Sequence, residues 1–161
     1  MEPNFTIKRI KQTKELLNNL DQNSDEYITM LLNSLLSLII LPVEEIKRKP
    51  REKTFNIRIN DFYKLIGVTP IKFDPIKSVD KSGNIIKSNR TTNNFVIKLR
   101  NAIAHQNIKV NEIEGKTYIT FFNIFKSSYL KRGIRDFEIK LSLIELRRLS
   151  LFIAESYLKN I

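Results

Sequence analysis

The segment that most constrains the fold is a nearly continuous apolar run early in the chain. Residues 25–41 would present apolar side chains on almost every side of a helix. The strongly polar residues inside the run are Asn33, Ser34 and Ser37. Such a helix has to be covered by other elements, and the run is too short to span a bilayer. We therefore expect a central helix of a bundle, which either ends at Pro42 or gives way to a short helix over 43–49.

Two amphipathic helices are predicted to pack around this segment. Residues 4–20 repeat apolar side chains at helical spacing, with basic residues on the opposite side. Residues 142–145, SLIE, form a capping box that opens a last helix running to about residue 160. Together with the apolar run, these helices favour an antiparallel bundle.

The middle of the chain has weaker patterns. Residues 54–59 alternate like a strand, and residues 61–66 are typical of a short helix that stops at Gly67. We interpret residues 50–90 as a whole as an insertion or loop, with a short strand at 85–86.

Composition excludes several kinds of chemistry. The chain has 161 residues, no cysteine and a single histidine, so disulfides, thiolate metal sites and cysteine nucleophiles are excluded. No carboxylate cluster accompanies the histidine, and we expect neither a metal nor a cofactor. The first residues lack the pattern of a signal peptide, and we expect a cytoplasmic protein that does not enter a membrane. The net charge of +11 indicates a polyanionic partner, most simply RNA, or else a compositional bias toward lysine.

The residues best suited to chemistry lie in a second helical stretch, which Thr91 or Thr92 can cap and which no glycine or proline interrupts before Val110. Its apolar residues surround Arg100, Asn101 and His105. Histidine is the side chain whose unperturbed pKa lies near neutral pH. Four residues of helix would bring the Asn101 amide beside the imidazole, where it can fix one tautomer. Arg100 would lie about 140° round the axis and about 7.5 Å along it, close enough to share one phosphate.

After His105 the apolar period changes from helical to two. Residues 108–113 and 117–125, joined by Glu114-Gly115, predict a β-hairpin, so that the hairpin region covers about 107–125. A third extended piece, 136–140, can pair with it. Residues 127–133 between them carry Tyr129, Lys131 and Arg132, which could stack on a base and hold a phosphate, or could form an ordinary turn.

The segment Arg100-Asn101-Ala102-Ile103-Ala104-His105 resembles the R-N-x-x-x-H motif of the HEPN superfamily, and residues 32–42 resemble the Asn-containing, Pro-terminated second helix of some small members. The resemblance covers about 5–50, 90–110 and 140–160. It implies one HEPN-like domain over 1–161 with a mainly α fold: an antiparallel helical bundle with a small β-hairpin or sheet inserted after the motif helix. Many members are metal-independent endoribonucleases of toxin–antitoxin, abortive-infection or CRISPR-associated systems, and many are homodimers with facing motifs.

These observations predict an endoribonuclease that acts as a homodimer, a toxin or defence effector with RNA as substrate and a cognate antitoxin as a candidate partner. Arg100 would bind the phosphate, His105 would transfer protons, and Asn101 and Asn33 would support them. Further contacts to nucleic acid are assigned to Lys98, Lys109, Tyr129, Lys131 and Arg132.

Alternatives remain open at three points. His105 can be a dipole partner at a helix end or a satisfied core residue, and Asn33 can form a buried helix–helix hydrogen bond. The whole chain can be a non-catalytic HEPN-like dimer that binds nucleic acid or a partner.

Overall fold

The computed structural model describes the backbone of residues 3–48, 55 and 57–159, and the side chains of 7–40, 55 and 57–159. The chain forms two compact units. The first joins Met1–Asn56 to Leu143–Ile161, and the second is Ile57–Ser142. In chain order the described elements are α1 (Pro3–Asn18), α2 (Tyr27–Arg48), α3 (Ile59–Ile66), β1 (Lys72–Phe73), β2 (Ile76–Val79), β3 (Ile85–Lys87), α4 (Thr92–Ala104), β4 (Ile108–Ile113), β5 (Lys116–Phe125), β6 (Ile134–Ser142) and α5 (Leu143–Lys159).

The first unit is a packing of three helices, in which α1, α2 and α5 each contact the other two. Ion pairing joins Lys14 Nζ to Glu155 Oε1 at 3.2 Å, and Arg147 Nη2 donates to the carbonyl of Asn18 at 3.2 Å. These contacts join the C-terminal half of α1 to α5. Side chains buried on the three helices include Ile10, Leu17, Leu31, Leu35, Leu38, Ile39, Leu146, Leu149, Ile153 and Tyr157. The predicted helices at both ends of the chain are confirmed.

The apolar run forms a longer helix than expected. The prediction that Pro42 ends the helix or opens a new one is wrong, because α2 continues through Pro42 to Arg48. Proline in a helix interior lacks one backbone hydrogen bond and crowds the preceding turn, which can kink a helix without ending it. The residues that follow, VEEIKR, contain no further helix breaker. Lys49, the last residue of the short helix predicted over 43–49, lies outside the described residues.

The second unit combines α3 and α4 with two antiparallel sheets. The larger sheet has the strand order β1-β6-β5-β4, and β2 pairs with β3 in a separate hairpin. One face of the large sheet packs against α4 through β5. Four rings form the centre of this unit, with Phe95 on α4 making edge contacts to Phe62 at 5.1 Å, Phe137 at 5.2 Å and Phe73 at 5.7 Å between centroids. Such pairs contribute about 0.5–1.5 kcal/mol each beyond the area they bury.

The expectation of a mainly α bundle with a small inserted hairpin is wrong. The described residues form five helices, a four-stranded antiparallel sheet and a separate two-stranded sheet, so the fold is α+β. Part of the missing sheet lies in residues 68–90, which we expected to be a loop with one short strand at 85–86. That strand is confirmed as β3 (Ile85–Lys87). That stretch supplies β1, which pairs with β6, and both strands of the second hairpin. The other two strands, β1 and β2, have two and four residues and are too short to show a period in sequence.

The other strand predictions have mixed outcomes. The hairpin around Glu114-Gly115 is confirmed, and both residues have positive φ (52° and 75°), as a tight two-residue turn requires. The third extended piece is confirmed as β6, which pairs with β5. No strand is found at Phe55 or at 57–59, the described part of the predicted 54–59 strand, and Ile59 already begins α3. Thr54 and Asn56 lie outside the described residues. The short helix that ends at Gly67 (φ 69°) is confirmed.

Candidate active site

The motif residues are carried by α4, whose start is fixed from both sides. Thr91 is the N-cap, and its hydroxyl accepts the N–H of Asn94 at 3.1 Å. Thr92 is buried and its hydroxyl donates to the carbonyl of Ile57 at 2.9 Å. Towards the other end, Leu99, Ala102 and Ile103 are buried. The helix is therefore anchored along the side opposite to the one that presents the motif.

The helix ends at Ala104, with His105 as its C-cap. Gln106 has φ 56°, its N–H donates to Ile103 at 3.1 Å, and the N–H of Asn107 donates to Ala102 at 2.8 Å. This pair of bonds is a Schellman ending, with glutamine in the left-handed position that glycine usually takes. The predicted change from helix to strand after His105 is confirmed, since β4 begins at Ile108. The turn reverses the chain into β4 and leaves the His105 side chain exposed.

The three motif residues are arranged differently from the sequence expectation. The Asn101 side chain accepts a hydrogen bond from Arg100 Nη1 at 3.2 Å, so the amide positions the guanidinium. Its contact with His105 is through the backbone, where the Asn101 carbonyl accepts the His105 N–H at 3.0 Å. Arg100 is half-buried. In the described part of the chain, no hydrogen bond from another residue holds the imidazole, which leaves both ring nitrogens available.

A buried ionic cluster lies on the inner side of α4. Lys98 Nζ is 2.6 Å from Asp136 Oδ2, and the Lys98 and Asp136 residues are 9% and 1% exposed. The carboxylate also accepts the Ile76 N–H at 2.9 Å and Asn123 Nδ2 at 2.7 Å. Lys98, predicted to contact nucleic acid, is thus turned inward and paired. Sequence reasoning missed Asp136 and Asn123 because their partner is brought to them by tertiary packing alone.

The other predicted contacts to nucleic acid are exposed. Lys109 lies on β4, four residues after His105, and its Nζ is 5.6 Å from the centroid of the Phe122 ring. Tyr129 is 48% exposed, and Lys131 and Arg132 are exposed beside it. The antiparallel register pairs Ile108 with Phe121. The loop that follows β5 therefore leaves the sheet at the same end as His105.

Asn33 belongs to the first unit. Its side chain is exposed and lines a cavity of about 410 Å³ between α1 and α2, together with Arg9, Gln12 and Ser37. An exposed amide does not fit the alternative of a buried helix–helix hydrogen bond. Its supporting role for Arg100 and His105 stays a prediction.

Within the described residues, no group of histidine, cysteine or acidic side chains could hold a metal ion. Over the same residues, no helix has both the length and the apolar character needed to cross a membrane.

The family model described as HEPN pEK499 p136 matches residues 1–161. No curated protein and no solved structure matches the chain significantly.

Proposed function

Because the chain belongs to the HEPN pEK499 p136 family, we propose that it is a metal-independent endoribonuclease that acts as a homodimer. One observation supports this most directly: an exposed histidine terminates the same helix that carries an arginine fixed by its neighbouring asparagine. A cation beside a proton-transfer group is the combination that phosphodiester cleavage needs. The net charge of +11 favours an RNA substrate.

The proposed reaction is attack by the 2′-hydroxyl of RNA on the adjacent phosphorus. One His105 imidazole takes the 2′ proton as the O2′–P bond forms. A second, protonated imidazole gives its proton to the 5′-oxygen as the P–O5′ bond breaks. The products are a 2′,3′-cyclic phosphate and a free 5′-hydroxyl. Arg100 binds the phosphoryl oxygens, where negative charge grows in the transition state.

The need for two imidazoles is the reason to propose a dimer. Each chain has one histidine, so a base and an acid of this kind require two copies with their His105 side chains facing one shared cleft. Asn101 then serves as a positioning residue, because its amide holds the Arg100 guanidinium. In a cell, such an enzyme would be a cytoplasmic toxin or defence effector held inactive by an antitoxin.

The experiment is an RNA cleavage assay in EDTA with purified wild type, Arg100→Ala and His105→Ala. A proton-transfer group contributes roughly 10²–10⁴-fold, so both variants should lose cleavage beyond detection. Arg58→Ala is the matched control, since Arg58 is exposed and makes no side-chain cap at α3, and it should cleave like wild type. Undiminished cleavage by His105→Ala, or cleavage abolished by EDTA, would contradict the proposal. RNA binding without any cleavage in wild type would favour the non-catalytic dimer.

A further inference from the structure

The face of the large sheet that points away from α4 has a distinctive set of side chains. On β5, Ile119, Phe121 and Asn123 are buried, whereas the alternate residues Tyr118, Thr120 and Phe122 are half-buried. We call this second set, with the residues paired opposite to it, the outer face. The strand register places on it the basic residues Lys72, Lys109, Lys116, Arg135 and Lys140.

On the outer face, cations lie over aromatic rings. The guanidinium carbon of Arg135 is 4.1 Å from the centroid of the Phe122 ring, and Lys109 Nζ approaches the same ring at 5.6 Å. Lys140 Nζ is 4.9 Å from the Tyr118 centroid. Glu138 pairs with Arg135 at 2.8 Å, so the guanidinium is held by both a ring and a carboxylate. The outer face thus carries two ring–cation pairs, Phe122–Arg135 and Tyr118–Lys140. Their rings are four residues apart on β5, or about 13 Å.

We propose that the outer face is a binding platform for single-stranded RNA. Bases stack on the Phe122–Arg135 and Tyr118–Lys140 pairs, and lysines bind phosphates. Aromatic rings and guanidinium planes on an open sheet are suited to unpaired bases, because every base offers a stacking surface. The RNA assignment rests on the proposed function, whereas the geometry of the face does not.

The charge pattern selects RNA over an acidic protein surface. Basic side chains lie on both strands that flank β5, with Lys109 on β4 and Arg135 and Lys140 on β6, and the aromatic rings of β5 lie between them. Cations on both sides of a line of rings suit a strand of nucleotides, in which phosphates alternate with bases. The platform also leads to the motif, because the Phe122 N–H donates to the Asn107 carbonyl at 3.1 Å, two residues after His105. RNA stacked at Phe122 would therefore lie close to the candidate active site.

The test measures binding of a labelled single-stranded RNA of about 12 nucleotides in the His105→Ala background, which leaves the RNA uncut. Phe122→Leu and Tyr118→Leu each remove one ring, and Phe152→Leu, at a half-buried ring of α5, is the matched control. We expect each platform variant to weaken binding roughly 5- to 100-fold, and the control to leave it unchanged. Circular dichroism and melting curves establish that each variant is folded.

A second pair of variants separates the platform from general charge attraction. Lys109→Gln/Lys140→Gln and the control Lys64→Gln/Lys81→Gln remove the same charge. Lys64 and Lys81 are exposed in the second unit, and neither belongs to the outer face. The platform pair should reduce the slope of log K against log salt by about 0.7 for each lysine that contacts a phosphate.

Equal loss in both pairs, or equal affinity for duplex RNA, would overturn the proposal. Unchanged RNA affinity in all platform variants would also overturn it and leave the face to a protein partner. Persistent cleavage by His105→Ala bears only on the proposed function, so the two failures are distinguishable.

Discussion

A double-mutant cycle on Lys98 and Asp136 tests how the motif helix is held on the sheet. The pair joins α4 to β6 with a 2.6 Å contact, and both groups are almost fully removed from water. Asp136→Asn keeps the shape of the side chain but removes its charge, which leaves the Lys98 ammonium buried without a counterion. Lys98→Met removes the ammonium and keeps the length of the side chain.

The magnitude follows from the contact distance and the burial. At 2.6 Å and an effective dielectric constant of about 20, the gross attraction is about 6 kcal/mol. Desolvation of both ions offsets much of this, so the pair as a whole adds little net stability. Removing one partner leaves the desolvation of the other uncompensated and should cost about 3–5 kcal/mol. The Asp136 carboxylate keeps two hydrogen-bond donors in Lys98→Met, so this variant should lie at the lower end.

The assay is urea unfolding of wild type, both single variants and the double variant. We expect the double variant to be clearly less destabilised than the sum of the single changes, by about 2 kcal/mol or more, since neither orphaned charge remains. Additivity within about 0.5 kcal/mol would refute the reasoning, because it would mean that the two side chains do not depend on each other. RNA cleavage should fall with stability in the single variants and recover partly in the double variant.

Two further predictions concern the helix ending and the titration of the half-buried Tyr63 phenol. Gln106→Val should destabilise the chain by about 1–2 kcal/mol, because a β-branched residue is strained at φ 56°, whereas Gln106→Gly should not. Thermal unfolding compares them, and equal stability of the two variants would count against the Schellman ending. Burial raises the pKa of Tyr63 from 10.0 to about 12, although the Arg90 charge acts in the opposite direction. The folded state therefore keeps the phenol proton between these values while the unfolded state loses it, so stability should be intact below pH 10.0 and fall as pH rises towards about 12. Urea unfolding of wild type and Tyr63→Phe across this range should show a smaller loss in the variant, and identical pH profiles would be inconsistent with it.

Much of the helical part of the fold could be predicted from sequence, because each helix has local signals. The capping box at residues 142–145 and the apolar period of α1 depend on neighbouring residues only. The hairpin at Glu114-Gly115 was predictable for the same reason. By contrast, β1 is two residues long and exists because β6 offers it a partner, and no local pattern records that pairing.

In the candidate site, too, some features could be predicted from local sequence and others could not. The spacing of Arg100 and His105 could be read directly, and so could the helix that carries them. The partner of the Asn101 amide could not, because the helix ends one residue before His105, at a left-handed glutamine that sequence does not mark. The inward turn of Lys98 depends on Asp136, which is 38 residues away in the chain. The ring–cation pairs of the outer face were missed because each is formed by residues on different strands, such as Phe122 on β5 and Arg135 on β6.

The most direct test of the account is the chemical nature of the RNA ends after incubation with the wild-type protein in EDTA. Attack by the 2′-hydroxyl with His105 as proton carrier predicts 2′,3′-cyclic phosphate and 5′-hydroxyl ends, absent with His105→Ala and with an all-DNA strand of the same sequence. Ends with a 3′-hydroxyl and a 5′-phosphate, or the same ends produced by His105→Ala, would contradict it.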